Sequence, residues 1–361
     1  MTQPARFPVF VFASALTPVL ALLAALLAVL IAGAPASART IVDSAGRTVE
    51  VPDTVSRVFA AGPPASILVY ALKPEALLGW PRALRREERP YIAEAYRNLP
   101  ETGRLTGRGG DANLERVLAL KPDLIIDFGS VRDTYADLAD RVQAQTGIPY
   151  ILINGRFDET ANSLRLVGEA LGVPERGEAL ARDAEKTFAA LDAALGAVPE
   201  AERPRVYLAR GPDGLETGMK GSINTEIIER AGGRNVAEAP GQYGLVQASP
   251  EQVILADPDT IITWDRTFFE AVWSSPVWSG ITAVREGRVY LSPTAPFGWI
   301  DRPPSLNRMM GLKWLAGLFY PERWAGNLRE ETRAFYRLWY HVELSDAELD
   351  TLLEWANGRA P

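Results

Sequence analysis

The sequence predicts an α/β protein of two lobes with parallel-rich sheets, and a helical segment between them. Three observations carry this. The chain has 361 residues, more than a single hydrophobic core usually serves. A helix-turn-strand segment in its first half recurs in its second. A long amphipathic stripe separates the two copies.

Residues 1–38 read as an export signal. Arg6 supplies a positive start, an apolar stretch runs from about Val9 to Gly33, and Ala36-Ser37-Ala38 provides the small residues a signal peptidase requires. Cleavage is expected before Arg39. The competing reading is a retained membrane anchor, because the apolar run is long enough to span a bilayer. The chain contains no cysteine, which excludes disulfides, thiolate metal sites, a cysteine nucleophile and a lipidated N-terminus. The expected location is therefore periplasmic, unlipidated.

After the signal, Ile41 to Val51 forms two β-rich runs around Ser44-Ala45-Gly46, a hairpin signature. The repeat follows. Asn113-Leu-Glu-Arg-Val-Leu-Ala-Leu-Lys-Pro-Asp-Leu-Ile-Ile-Asp127 aligns without gaps on Ser249-Pro-Glu-Gln-Val-Ile-Leu-Ala-Asp-Pro-Asp-Thr-Ile-Ile-Thr263, with six of fifteen positions identical. Each copy reads as an N-capped short helix, a Pro-Asp turn and a buried parallel strand. The halves also open alike, with Arg57-Val-Phe before Gly62-Pro63 and Arg205-Val-Tyr before Gly211-Pro212. Strands alternating with helices at these spacings indicate parallel sheets.

Between the copies, Leu180, Ala184, Phe188, Leu191 and Leu195 form one helical stripe from about Pro174 to Val198. Such a helix is about 36 Å long at 1.5 Å per residue. It is long enough to bridge two lobes, although an ordinary helix lying on one sheet has the same pattern. The expected organisation is a signal at 1–38, an N-terminal lobe at 39–160, a helical bridge at 161–200 and a C-terminal lobe at 201–361.

These features together resemble the periplasmic binding proteins that deliver ferric siderophores, vitamin B12, haem or metal ions to ABC importers. The resemblance is carried by Asp43-Ser-Ala-Gly-Arg-Thr-Val-Glu-Val-Pro52, Asn113-Leu-Glu-Arg with Lys-Pro-Asp, Gly232-Gly-Arg-Asn235, Ala283-Val-Arg-Glu-Gly-Arg-Val-Tyr290 and Trp314-Leu-Ala-Gly-Leu-Phe-Tyr-Pro321. It implies the helical-hinge class: two α/β lobes on one long helix, a ligand between them and modest opening. It also implies that Glu115 and Glu251, one in each echoed motif, dock on arginines of a membrane permease. A carboxylate near a helix start is favoured by the helix dipole, and an Arg–carboxylate pair is directional. Each glutamate has a plainer reading as a helix-start residue satisfying backbone donors.

Chemistry narrows the cargo. The single histidine, His341, falls in a C-terminal helix and reads as a packing or surface residue. A bare transition-metal ion prefers imidazole or thiolate ligands, so none is expected, and no cofactor either. A metal already wrapped in a chelator, or an oxyanion, calls for Arg forks and aromatic faces. Such groups follow the strand ends where α/β sheets present ligand loops. In the first lobe they are Trp80, Arg82, Arg108 of the Gly-rich 103–110 loop, and Ser66 in a turn before a helix whose amides offer an anion site. In the second they are Arg210, Lys220, Tyr243, Trp264, Arg266, Trp299 and Arg302. Trp264 and Arg266 lead because they directly follow the strand ending at Thr263. The duller readings are a solvated face for Arg82, Arg85 and Arg86, core packing for most tryptophans, and pairing of Arg302 with Asp301.

The expected cargo is first an iron complex, then a molybdate-type oxyanion, then a cobalamin or nickel chelate. The partners are that small molecule and an importer permease, and the protein is expected to be a monomer. A formal net charge of −7 without Lys/Arg runs argues against nucleic acid. A hydrolase working with paired carboxylates, and an exported sensor or scaffold, are the readings of other classes; no Gly-x-Ser-x-Gly or Walker motif is present.

Overall fold

The computed structural model describes residues 38–107, 113–239 and 241–358; all but the last residue of the expected export signal, and Arg108, lie outside them. The chain opens with the expected hairpin, β1 (Ala38–Val42) antiparallel to β2 (Thr48–Pro52). Asp43 makes its turn: Oδ1 accepts the Ala45 and Arg47 amides at 3.0 and 2.9 Å, and Oδ2 accepts the Leu152 amide at 3.0 Å. One carboxylate thus shapes the hairpin and pins it to the first lobe.

That lobe holds a parallel sheet in the order β3 (Val58–Ala60), β4 (Leu124–Gly129) and β5 (Tyr150–Asn154). Helices α1 (Pro63–Leu72), α2 (Leu114–Leu120) and α3 (Asp133–Thr146) connect and cover it. After the bridge segment, β6 (Arg205–Ala209), β7 (Glu216–Gly218), α6 (Glu226–Arg230), β8 (Arg234–Asn235), β9 (Leu245–Gln247), α7 (Pro250–Ala256), β10 (Thr260–Thr263), α8 (Arg266–Ala271), α9 (Thr282–Arg285) and β11 (Val289–Leu291) follow. The main sheet of this lobe is parallel in the order β11-β10-β6-β8, and β7 pairs with β9 antiparallel.

The repeat in sequence is a repeat in hydrogen bonding. Asn113 caps α2 by accepting the Arg116 amide, and Ser249 caps α7 through the Gln252 amide. Both helices end on a left-handed residue, Lys121 and Asp257, immediately before the proline. The next aspartate accepts the amide of the lobe's opening arginine: Asp123 from Arg57 at 2.9 Å, Asp259 from Arg205 at 3.0 Å. Each arginine then turns its guanidinium onto the last helix carbonyls, Leu120 and Lys121 for Arg57, Ala256 and Asp257 for Arg205. A cation at a helix C-terminus satisfies orphan carbonyls and the helix dipole together.

The bridge segment contains a helical hairpin, α4 (Thr160–Ala170) followed by α5 (Pro174–Leu195). At 22 residues α5 is about 33 Å long. Its stripe faces inward as expected: Leu180, Ala184, Leu191 and Leu195 are buried and Phe188 is partly so. The two helices touch at glycines. A Cβ on Gly177 would lie 2.7 Å from the Leu164 carbonyl oxygen, so only hydrogen fits there.

The C-terminal helices cross between lobes. After α10 (Arg308–Phe319), α11 (Leu328–Tyr340) packs on α1, where Tyr70 donates its hydroxyl to the Tyr340 carbonyl at 2.5 Å. Trp339 Nε1 donates to Asp183 of α5 at 2.9 Å. Tyr91 donates to the Glu348 carbonyl at 3.1 Å, in α12 (Asp346–Leu353). One apolar set is therefore continuous from Val58 and Leu124, through Leu180 and Leu191, to Leu208, Ile262 and Trp314. His341 ends α11 in the left-handed region with Nε2 3.1 Å from the Tyr70 carbonyl oxygen, a packing role.

Candidate ligand cleft

The site is built where the second sheet ends. β10 stops at Thr263, and Asp265 caps α8 by accepting the Phe268 amide. Trp264 is thereby left between a strand end and a helix start, facing the 297–303 loop. Asp301 of that loop is buried and collects three donors. Trp264 Nε1 donates to Oδ1 at 2.8 Å, Asn224 Nδ2 to Oδ2 at 3.1 Å, and Arg210 Nε stands 2.9 Å from Oδ2. The Arg210 contact is an ion pair without good hydrogen-bond alignment, since its Nε finds no properly directed acceptor. Arg210 also pairs with Glu216 at 2.6 Å. Burial pushes the Asp301 carboxyl up from its ordinary range, with Arg210 the strongest opposing influence.

The indole so fixed carries cations on its π system. The Arg302 guanidinium carbon lies 4.4 Å from the Trp264 ring centroid and that of Arg210 5.5 Å. These are cation–π distances. Among the described residues, the Arg302 guanidinium makes no hydrogen bond or ion pair. Burial, and then the charges of Arg85 and Arg82, push its pKa below the usual arginine value. Those two arginines belong to the first lobe, so the cleft brings like charges toward Arg302 from the opposite wall.

The first-lobe wall is partly neutralised. Arg82 forms a two-point pair with buried Glu88, at 2.6 and 2.8 Å, and Glu88 also accepts the Arg85 amide at 2.8 Å. Arg85 Nε itself stands 3.9 Å from Glu88. Deeper, Arg308 ties the lobes together. It is fully buried and donates to the Gly155 carbonyl of the first lobe (2.6 Å), to Ile223 of the second (2.8 Å) and to Glu226 (2.7 Å). Arg156 holds the other Glu226 oxygen at 2.8 Å and donates to the Gly221 carbonyl, also at 2.8 Å.

The residues named from sequence separate into groups. Trp264, Arg210 and Arg302 come together, and Arg82 is near them. Trp80 and Trp299 do not line the cleft. Trp80 is 1% exposed, packed on Tyr70 and Phe297 with its N–H on the Tyr96 carbonyl; Trp299 is fully buried with its N–H toward the Tyr336 hydroxyl. Ser66 is buried in α1 and donates to the Pro63 carbonyl. Its helix start offers little to an anion, because Pro63 and Pro64 lack N–H groups and the Ser66 amide is bonded to Gly62. Arg266 turns aside to Glu270 (2.7 Å) and the face of Trp355 (5.4 Å). Lys220 pairs with Glu238 at the surface, and Tyr243 is 79% exposed before β9. Asp301 pairs with Arg210, not with its neighbour Arg302. Asn224, Glu88 and Arg308 carried no local motif and were not candidates from sequence.

Glu115 and Glu251 are exposed and occupy the same position, the second residue of α2 and of α7. The Glu251 carboxyl is held below its ordinary range by its own backbone amide and the Ser249 side chain.

Comparison with known proteins bears on the family and the fold. The family model described as periplasmic binding protein matches residues 70–296. A solved ABC transporter solute binding protein from Sulfurospirillum deleyianum superposes with a TM-score of 0.79 at 31% identity, covering 88% of this chain and 99% of that one. An uncharacterized ABC transporter substrate-binding lipoprotein of Bacillus subtilis, YvrC, is 28% identical over 50% of this chain and 57% of its own length. The vitamin B12-binding protein of Salmonella typhimurium is 31% identical over 42% of this chain and 54% of its own. The matched region thus spans little more than half of these two curated relatives. The chain belongs to the family of periplasmic binding proteins.

Proposed function

We propose that the chain is the substrate-binding component of an ABC importer, capturing an anionic metal complex, first a ferric siderophore-like chelate, and handing it to the permease without turnover. The observation that carries this reading is Arg302: a guanidinium laid on an indole at 4.4 Å, in a cleft with further arginines opposite, and in no ion pair or hydrogen bond among the described residues. A bound anion would supply the missing counter-charge and lower the repulsion between the two walls, favouring closure. The names of the relatives support a transported cargo of this kind, and the leader sequence supports release into the periplasm as an unlipidated monomer.

Delivery rests on Glu115 and Glu251. Each is followed one turn later by an exposed apolar residue, Leu118 and Ile254, with Leu255 beside the latter. Paired carboxylates on equivalent helices suit a partner that itself repeats, as a two-subunit permease does.

The test is a titration of the mature protein with ferric citrate, molybdate and cyanocobalamin, followed by calorimetry and thermal shift. A true ligand at 100 times its Kd adds about 2.7 kcal/mol of stability. Binding of the iron chelate that weakens by about 1–3 kcal/mol in Arg302→Ala supports the reading. Equal affinity in the variant removes Arg302 from the cleft's function, and preference for molybdate moves the cargo to a bare oxyanion.

A further inference from the structure

Beside Trp264, a second cavity of about 200 Å³ opens between three parts of the molecule. Tyr91 comes from the first lobe, Trp264, Leu291 and Pro293 from the second, and Leu352 and Trp355 from α12 and its end. The walls are aromatic and aliphatic, while Glu87 and Arg266 stand at the lining's charged points. Arg266 is already engaged by Glu270 and by the Trp355 face. The outer wall lies beyond residue 296, where the family-model match ends. It is formed by the C-terminal helix α12, held by the Ser345–Glu348 capping box and by Tyr91 on the Glu348 carbonyl.

We propose that this cavity is a side subsite for a flat apolar or aryl arm of the cleft ligand, whose anionic end lies on Arg302. The proposal rests on the anion reading of the cleft and extends it to an amphipathic cargo. Size, polarity and continuity all point this way. An apolar cavity of about 150 Å³ accepts a benzene ring, so this volume is large enough for one substituted ring. The Glu87 carboxylate repels an anionic end, which sets the ligand's direction: charge toward Arg302, ring toward Trp355. Trp264 is common to both sites, stacked by Arg302 and lining the cavity.

A matched pair of probes tests it: methylphosphonate and phenylphosphonate, identical in charge and differing by the ring. Both are titrated by calorimetry into the full mature protein and into Thr351→Trp and Arg302→Ala. Thr351 is exposed at the cavity's edge, so an indole there blocks the cavity without entering a core, and a melting curve verifies the fold. The expected result is a phenyl probe about tenfold tighter than the methyl probe, since burying a ring is worth at least ~1.4 kcal/mol. That advantage should vanish in Thr351→Trp while methylphosphonate affinity stays unchanged, and both probes should weaken in Arg302→Ala. Equal affinity of the two probes overturns the side subsite and leaves the anion reading standing. A phenyl advantage that persists in Thr351→Trp places the ring elsewhere and also overturns it. Failure of both probes to bind, or indifference to Arg302→Ala, removes the anion site and the subsite with it.

Discussion

Replacing Arg308 by methionine tests how the lobes are held at one relative setting. The guanidinium is 1% exposed and donates to Gly155, Ile223, Ser305 and Glu226, so the substitution strips donors from both lobes at once. Removing one member of a buried ion pair costs about 3–5 kcal/mol, because the partner charge remains in a poorly solvated site. Here Glu226 keeps Arg156 at 2.8 Å, whose side chain is substantially exposed, so the lower end, about 3 kcal/mol, applies. Methionine retains most of the volume over Phe157, where the arginine now lies 4.3 Å from the ring centroid. The loss is therefore electrostatic rather than a cavity. Urea unfolding followed by tryptophan fluorescence measures it. The double variant Arg308→Met/Glu226→Gln should recover about 1–2 kcal/mol, since it removes the stranded charge. A single variant that loses under about 1 kcal/mol, or a double variant no better than the single, refutes the account of Arg308 as the interlobe tie.

Three further outcomes are expected. Gly177→Ala should lower the melting temperature: helix propensity favours alanine by about 1 kcal/mol, but a Cβ 2.7 Å from the Leu164 oxygen forces α4 and α5 apart at about 1–3 kcal/mol, and an unchanged or higher melting point contradicts the tight crossing. Asp127 is buried, with its pKa pushed up to about 6 from an ordinary 3.8 by desolvation, against hydrogen bonds from Thr106, the Phe128 amide and Tyr150. A raised carboxyl favours the folded state at low pH and loses that contribution, roughly 3 kcal/mol in all, as pH rises from below 3.8 through about 6, so the stability of the native chain relative to Asp127→Asn should fall by about 2 kcal/mol between pH 4 and pH 7; a pH-independent difference in urea unfolding refutes it. Glu115→Lys with Glu251→Lys should abolish uptake in cells while leaving ligand affinity within twofold, and a parallel loss of affinity would assign the two glutamates to folding or to the cleft.

The pattern of what was legible follows from locality. The echoed segments were readable because the cap, the helix and the Pro-Asp turn are local and the strand after them is a short apolar run, even though its ladder partners and the returning arginine lie far away in sequence. The α5 stripe was readable because helical burial has a period. The crossing of the C-terminal helices was not, because the Tyr70–Tyr340 contact joins residues 270 apart and neither side chain departs from its own helix pattern. The tryptophans show the same limit. Trp264 and Trp299 both follow strand ends, yet one indole turns to the cleft and the other to the Tyr336 hydroxyl in the core, a difference set by the packing of α10 and α11.

Charge pairing sorted the arginines in a way that residue type alone cannot. Most of the cationic candidates are held by a carboxylate in the fold, some close in sequence and some distant: Glu88 for Arg82, Glu216 and Asp301 for Arg210, Glu238 for Lys220, Glu270 for Arg266. Arg302 adjoins Asp301 and yet is left out, because Asp301 is already turned inward to Trp264, Asn224 and Arg210. An arginine that is already paired has little Coulomb energy left to offer a ligand, whereas an unpaired one near other cations has the most to gain from an anion. The buried carboxylate therefore does two things at once: it aims the indole, and by taking Arg210 it leaves Arg302, among the described residues of the cleft, without an ion pair and open to cargo.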